Sequence, residues 1–321
     1  MTAAAPILAV FAAACIPAGS ALAAARWPRR SPAAAIVLWQ ALGLGWGLAA
    51  VGALAGFGAA GGGSGVARGA FTLASKVLDG RPAAGTRRLL ALILGLRLLA
   101  LAAGVVLLLL LCWILVAAFA TVLRARRRQR MLLSLLAHGD PKVPGALVVD
   151  HPSATAYCVP GLRSKIVISA GALDLLDQAE LAAVLAHERA HLRERHDLVL
   201  LPFTALLRAF RWSAVARDAH AAVALLVEML ADDRALRHRP ARELATALLR
   251  FGAAGGVHAP TGALAVADGP VECQVAVRVS RLLRPAPRLR HALRGVAQRA
   301  LGYVACALGR TAPDSARRTT C

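Results

Sequence analysis

Acidic side chains are scarce in this chain and almost missing from its first half. Of 321 residues, 17 are Asp or Glu against 38 Lys or Arg; Asp79 is the only acidic residue before Asp140, and the first Glu is Glu180. A water-facing surface mixes charges of both signs, so the first 130 residues are excluded as an ordinary soluble domain. Aromatic residues make up only 4%, and the six cysteines, Cys15, Cys112, Cys158, Cys273, Cys306 and Cys321, form no CxxC pair. An aromatic-bearing RNA module and a Cys-rich zinc site are thereby excluded, and no disulfide framework is expected. The net charge of +21 is mostly arginine beside apolar segments and along the last third of the chain. It reads as membrane-surface charge, with no direct nucleic-acid binding expected.

What is abundant is apolar sequence: 58% of residues are hydrophobic and the mean hydropathy is +0.60. Three runs are long enough to cross a hydrocarbon core, at about residues 6–25, 33–57 and 98–123. Arg97 sits at the edge of the third and is expected to snorkel to the interface. The first run could be a cleaved signal peptide, with Ala21-Leu22-Ala23 as a small-residue site, but no basic residue precedes it. Arg26, Arg29 and Arg30 crowd the first loop, and Arg124, Arg126, Arg127, Arg128 and Arg130 follow the third span. By the positive-inside rule both sit in the cytoplasm of a multi-pass cell-membrane protein, which puts the N-terminus outside and everything after Arg130 inside. Residues 61–88 read as an external loop, and Ala300 to Leu308 is too short to span.

From Met131 the character changes. Ala146 to Asp150, Thr155 to Val159 and Lys165 to Ser169 are short β-prone runs between turn residues, and they predict a small sheet. Asp177 and Glu180 form a capping-box start for a helix in which Leu181, Val184, Leu185 and Leu192 recur at helical spacing. Leu198 to Leu207 predicts a buried or membrane-skimming segment; Ala221 to Leu236, Arg242 to Phe251 and Glu272 to Leu283 predict helices. The expected architecture is a mainly α membrane protein: transmembrane helices over 1–130, an α+β domain with a small sheet over 131–240, and a basic helical region over 241–321.

The central helix carries His187-Glu188-Arg189-Ala190-His191, an HExxH motif. Two histidines four apart share one helical face, and the glutamate beside the first reaches the same point, which suits two zinc ligands and a catalytic base, Glu188. A hydrolytic zinc site needs a further protein ligand and an open position. Glu228 on a later apolar helix is the candidate, with Asp232 four residues on as an acceptor behind a ligand histidine, while Asp233 points elsewhere. His196 and Asp197 read as residues of the helix end supporting the site; His220, Arg234 and Arg278 are candidates for stabilising an oxyanion.

Ala156-Tyr157-Cys158-Val159-Pro160-Gly161, then Lys165 to Ser169 with Gly171, Glu180 to Asp197 and Glu228 to Asp232 together resemble the membrane-bound metallopeptidases of the BlaR/MecR type. More distantly they are similar to the HtpX and CAAX prenyl protease group. The resemblance covers about residues 131–240. It implies a gluzincin domain binding one Zn2+ through His187, His191 and Glu228, with Glu188 as base and an extended substrate added to a sheet edge. By analogy the target is a protein, such as a transcriptional repressor or a membrane protein. None of the three lysines, Lys76, Lys142 and Lys165, follows a Ser by three residues, so the Ser-x-x-Lys nucleophile of a penicillin-binding sensor is missing. The expectation is an integral membrane zinc metalloendopeptidase embedded in a lipid bilayer. The alternative is a non-catalytic membrane regulator or scaffold with a structural zinc site.

Overall fold

The computed structural model describes residues 4–59, 84–139, 143, 145–159, 165–254 and 271–284. Most of the external loop expected at 61–88 and all of Ala300 to Leu308 lie outside the described residues. Three helices open the chain: α1 (Ala4–Ala24), α2 (Pro32–Ala59) and α3 (Ala84–Leu136). All three are long and apolar enough to cross a membrane, the third within Ala91–Gln129. They coincide with the expected spans, but α3 overruns its span at both ends. It begins inside the expected loop and continues through Arg130 and Met131, where a domain boundary was expected. The Arg, Gln, Met and Leu residues of 124–136 are good helix formers with no Gly or Pro among them, so nothing stops the helix there. At 53 residues α3 is about 80 Å long, far more than a bilayer needs, and it carries the chain from the span into the following domain.

That domain holds a four-stranded sheet of β1 (Ala137–Gly139), β2 (Ala146–Val149), β3 (Ala156–Val159) and β4 (Lys165–Ser169), in the order β1-β2-β4-β3. β2 and β4 run parallel and the other pairs antiparallel, so β3 lies at an edge. The strand β1 was not anticipated. Between β4 and the next helix lies a short helix, α4 (Ala170–Leu175), capped by Ser169, whose Oγ accepts from Ala172 N at 3.2 Å. Gly171 is required at this corner: a Cβ there would stand 2.0 Å from the Pro152 carbonyl oxygen.

Five further helices follow: α5 (Gln178–Glu194), α6 (His196–Ala209), α7 (Ala214–Ala235), α8 (Ala241–Ala253) and α9 (Val271–Leu282). α7 starts seven residues earlier than expected because Ser213 caps it, accepting from Ala216 N. The sheet packs on α5 through Ile166, Ile168, Val184 and Leu185, and α8 closes this core with Ala247 and Phe251. A second cluster joins Ala183 of α5 and Ala235 of α7 to Leu244 and Leu248 of α8 and Val279 and Leu282 of α9. The boundary expected at 240 therefore does not separate two units. α8 and α9 bury their apolar faces against the HExxH helix and belong to the same core.

The α6–α7 hairpin ties this domain to the spans. Leu201 and Ala205 of α6 meet Ala118 of α3, while Phe203, Ala219, Val223, Leu226 and Val227 pack on Leu22 of α1 and Ala35, Ile36 and Trp39 of α2. Gln40, within the second apolar helix, donates to Val199 O at 2.8 Å, and Arg126 pairs with Asp197 where α6 begins. α6 thus buries one face against these helices and, at 14 residues, is too short to cross a membrane.

Candidate metal centre

α5 begins on a complete capping box. Asp177 Oδ1 accepts from Glu180 N at 2.8 Å, and Glu180 Oε2 accepts from Asp177 N at 3.0 Å, so two of the helix's open N–H groups are satisfied. From that start, the face turned toward α7 carries His187 and His191, both buried, with Glu188 buried beside them.

The two Nε2 atoms of His187 and His191 lie 3.0 Å apart. Glu228 comes from α7 with Oε2 3.3 Å from His187 Nε2 and Oε1 3.5 Å from His191 Nε2. The three residues each offer a donor atom within 4.8 Å of the others. The edge of a tetrahedron around a zinc ion with bonds of 2.0–2.2 Å is about 3.3 Å, so the donor spacing fits such an ion. The two imidazoles and one carboxylate are also the right donor chemistry for a metal of this class.

Behind these donors, His187 Nδ1 faces Asp232 Oδ1 at 3.0 Å, which leaves Nε2 free to act as the donor. Asp232 is in turn held by Arg278 of α9, whose Nε donates to Oδ2 at 2.9 Å and Nη2 to Oδ1 at 2.7 Å. Arg278 Nη1 lies 2.9 Å from Glu228 Oε2, so one buried guanidinium serves both carboxylates. His191 turns its other ring nitrogen, Nδ1, to His196 Nδ1 at 3.0 Å; His196 Nε2 lies 3.3 Å from Glu194 Oε2, and Glu194 pairs with Arg234.

The electrostatics follow from burial and from these partners. Burial alone would lower the His187 pKa, but the hydrogen bonds of Asp232 and Glu228 raise it to about 9. Burial opposes ionisation of Glu228, yet His191 and Arg278 hold its carboxyl well below the usual carboxylate range. Asp232 is likewise held low, against burial, by Arg278 and His187. Glu188 moves the other way: burial pushes its carboxyl up, with His191 and His187 opposing. The Cys158 side chain of β3 also hydrogen-bonds Glu188. A carboxyl whose pKa burial has raised, beside a metal-binding point, is suited to take and return a proton.

The structure brings His187, Glu188, His191, Glu228 and Asp232 to one place. It puts Asp233 on Arg281, at 2.7 Å, outside that place. Asp197 is a correction: it pairs with Arg126 and joins α6 to α3 rather than supporting the site. Of the oxyanion candidates only Arg278 comes to the site, and there it is bound to carboxylates. Arg234 is engaged by Glu194, Arg278 by Glu228 and Asp232, and His220 lies eight residues before Glu228, about 12 Å along α7. Sequence reasoning missed the role of Arg278. Two adjacent carboxylates called for a cation, but no spacing marked which arginine would supply it.

Residues 122–247 match the sequence model of Peptidase family M48, from within α3 to within α8. The match supports a metallopeptidase domain of that family over somewhat less than half of the chain, and it spans every residue of the donor group. The closer likeness to BlaR/MecR-type proteins rests on the sequence motifs alone. No curated protein and no solved structure matches the chain.

Proposed function

We propose that this chain is an integral membrane zinc metalloendopeptidase, with His187, His191 and Glu228 as zinc ligands, Glu188 as the catalytic base and Asp232 orienting His187. The observation that carries the reading is the convergence of three donor atoms from α5 and α7 beside a buried glutamate whose pKa is raised. Among the described residues three side chains meet there, which favours a catalytic site over a structural one closed by four protein ligands.

When bound, zinc would supply an acidified water and a polarising charge for the scissile carbonyl. Glu188 takes the proton from the attacking water and returns it to the nitrogen of the leaving amine. Asp232 accepts from His187 Nδ1 and keeps Nε2 as the donor, while Arg278 holds Asp232 and Glu228 as carboxylates. β3 offers its outer edge to an extended peptide, and Cys158 on that strand reaches Glu188, so a segment added there would run past the base.

The basic residues around Arg26 to Arg30 and Arg124 to Arg130 support a cytoplasmic site in a bilayer-embedded protein with its N-terminus outside. A cytoplasmic transcriptional repressor or a membrane protein is then the substrate class.

Glu188→Gln tests this directly. The variant should keep one zinc per chain and lose proteolysis by at least about a hundredfold, the scale of general acid–base catalysis. Protein termini that appear in cells with the wild type and not with Glu188→Gln would identify the substrate. Unchanged proteolysis in Glu188→Gln would overturn the assignment.

A further inference from the structure

The two metal-facing histidines are backed differently. His187 Nδ1 meets a carboxylate, whereas His191 Nδ1 meets another imidazole, His196, at 3.0 Å. His196 is 1% exposed and stands edge-on to His191, with ring centroids 4.8 Å apart and planes at 89°. It does not reach the metal point. His191 turns Nε2 toward His187 and Glu228 and its opposite nitrogen toward His196.

The tautomers follow from this geometry. A histidine that offers the Nε2 lone pair to a metal carries its proton on Nδ1. Two ring nitrogens 3.0 Å apart cannot both bear protons toward each other, so His196 Nδ1 must accept. The single ring proton of neutral His196 then sits on Nε2, which faces Glu194 Oε2 at 3.3 Å. Glu194 is paired with Arg234 and lies on the wall of a cavity of about 560 Å³ that Arg189, Arg193 and Arg237 also line. The protons therefore all point outward, from the metal point to an arginine-surrounded carboxylate.

The backbone delivers His196 to this position. Arg195 adopts a left-handed conformation, φ 50° and ψ 46°, which ends α5 and turns the chain so that the next residue folds back under the motif. A carboxylate in the place of His196 would add a further negative charge to a site that already holds Glu188, Glu228 and Asp232. An imidazole transmits orientation without that charge.

We infer that His196 is a positioning residue of the metal centre: it accepts the His191 Nδ1 proton and links that ligand through its own Nε2–H to Glu194. The inference rests on the proposed role of His191 as a ligand. An asparagine at 196 can present its carboxamide oxygen near the place of Nδ1, whereas a phenylalanine fills the same space with no acceptor.

The test uses the full chain in detergent, with the zinc Kd read by chelator competition and Co2+ absorption read on the same samples. His196→Phe should raise the zinc Kd by about 10–100-fold and shift the Co2+ bands, while His196→Asn stays within about threefold of the wild type. A wild-type Kd in His196→Phe, or equal losses in both variants, would overturn the inference, because a packing role does not distinguish them by acceptor. If His196→Phe does not fold, His196→Leu, smaller and equally without an acceptor, takes its place and should weaken zinc by the same order while His196→Asn does not; a wild-type Kd in His196→Leu overturns the inference. Failure of the wild-type chain to take up zinc would overturn the proposed function, and the inference with it.

Discussion

Two helices meet at the candidate metal centre, and they are held there by different means. α5 is fixed by its own neighbourhood: Asp177 and Glu180 cap it within one turn, and its apolar face lies on the sheet. α7 brings the partly buried Glu228 and the buried Asp232 together, where adjacent carboxylates repel and lose hydration. Their compensation comes from Arg278, 46 residues further on from Asp232. The position of one helix is thus a local property, and that of the other is contingent on a distant arginine.

The comparison breaks most sharply at Arg278. Arg278→Met keeps much of the side chain's length but leaves the buried Asp232 and the partly buried Glu228 without their cation. Removing one partner of a buried ionic cluster costs about 3–5 kcal/mol, so denaturant unfolding of the zinc-free protein should show a loss of that size. Zinc occupancy should fall with it, because Glu228 loses the group that holds it in place. Arg278→Lys should recover only part, since an ammonium cannot reproduce the two-pronged contact with Asp232 while also reaching Glu228. A loss under about 1 kcal/mol for Arg278→Met would mean that α7 is held by its apolar packing on the spans instead.

A smaller effect, set by pH, separates the two helices through His187, the proposed α5 ligand, which answers to Asp232 and Glu228 of α7. Its pKa in the zinc-free chain is about 9, above the unfolded value near 6.5. A raised histidine pKa stabilises the fold fully below about 6.5, and that contribution is lost as pH rises through 9. Zinc needs the neutral ring, so its binding must release the proton. Zinc-free stability should therefore fall between pH 6.5 and 9 while the apparent zinc affinity rises by up to about tenfold per unit, then levels off. In Asp232→Asn both trends should flatten. Parallel rather than opposite trends in the wild type would contradict the coupling of His187 to α7.

The same contrast decides how much was legible in the sequence. His187, Glu188 and His191 could be placed on one face because their spacing and the capping box are local, and Asp232 followed from Glu228 by one helical turn. Arg278 was named only as an oxyanion candidate, and its role as partner of the two carboxylates could not be found this way: α9 also carries Arg281, and nothing in the pattern tells which of the two answers Glu228 and Asp232 and which pairs with Asp233. The turn at Arg195 is equally silent, since a left-handed conformation is usually announced by Gly or Asn. The three long apolar helices were legible from composition, but α3 runs past its apolar run because helix formers continue where that run ends. β1, three residues long, is too short to leave a period. The expected boundary at 240 failed because a rise in basic residues marks a surface, while the buried faces of α8 and α9 decide what packs together.

The smallest effect tests the local side of the comparison. Asp177→Ala removes the side chain that accepts from Glu180 N and should cost about 1 kcal/mol, the usual worth of an N-cap. The loss stays small because the apolar face of α5 remains on the sheet, and because Glu180 keeps its contact with Arg250 at 2.9 Å, a half-exposed pair that adds little by itself. Zinc affinity should stay within about threefold of the wild type, since His187 lies nearly three turns from the cap and its ring is held from α7 rather than from the helix start. Unfolding curves for Asp177→Ala and Arg278→Met, taken side by side with zinc titrations, separate the cases. Should the cap variant lose as much stability and zinc as the arginine variant, α5 would depend on the rest of the site as much as α7 does, and the division between a local and a contingent helix would fall.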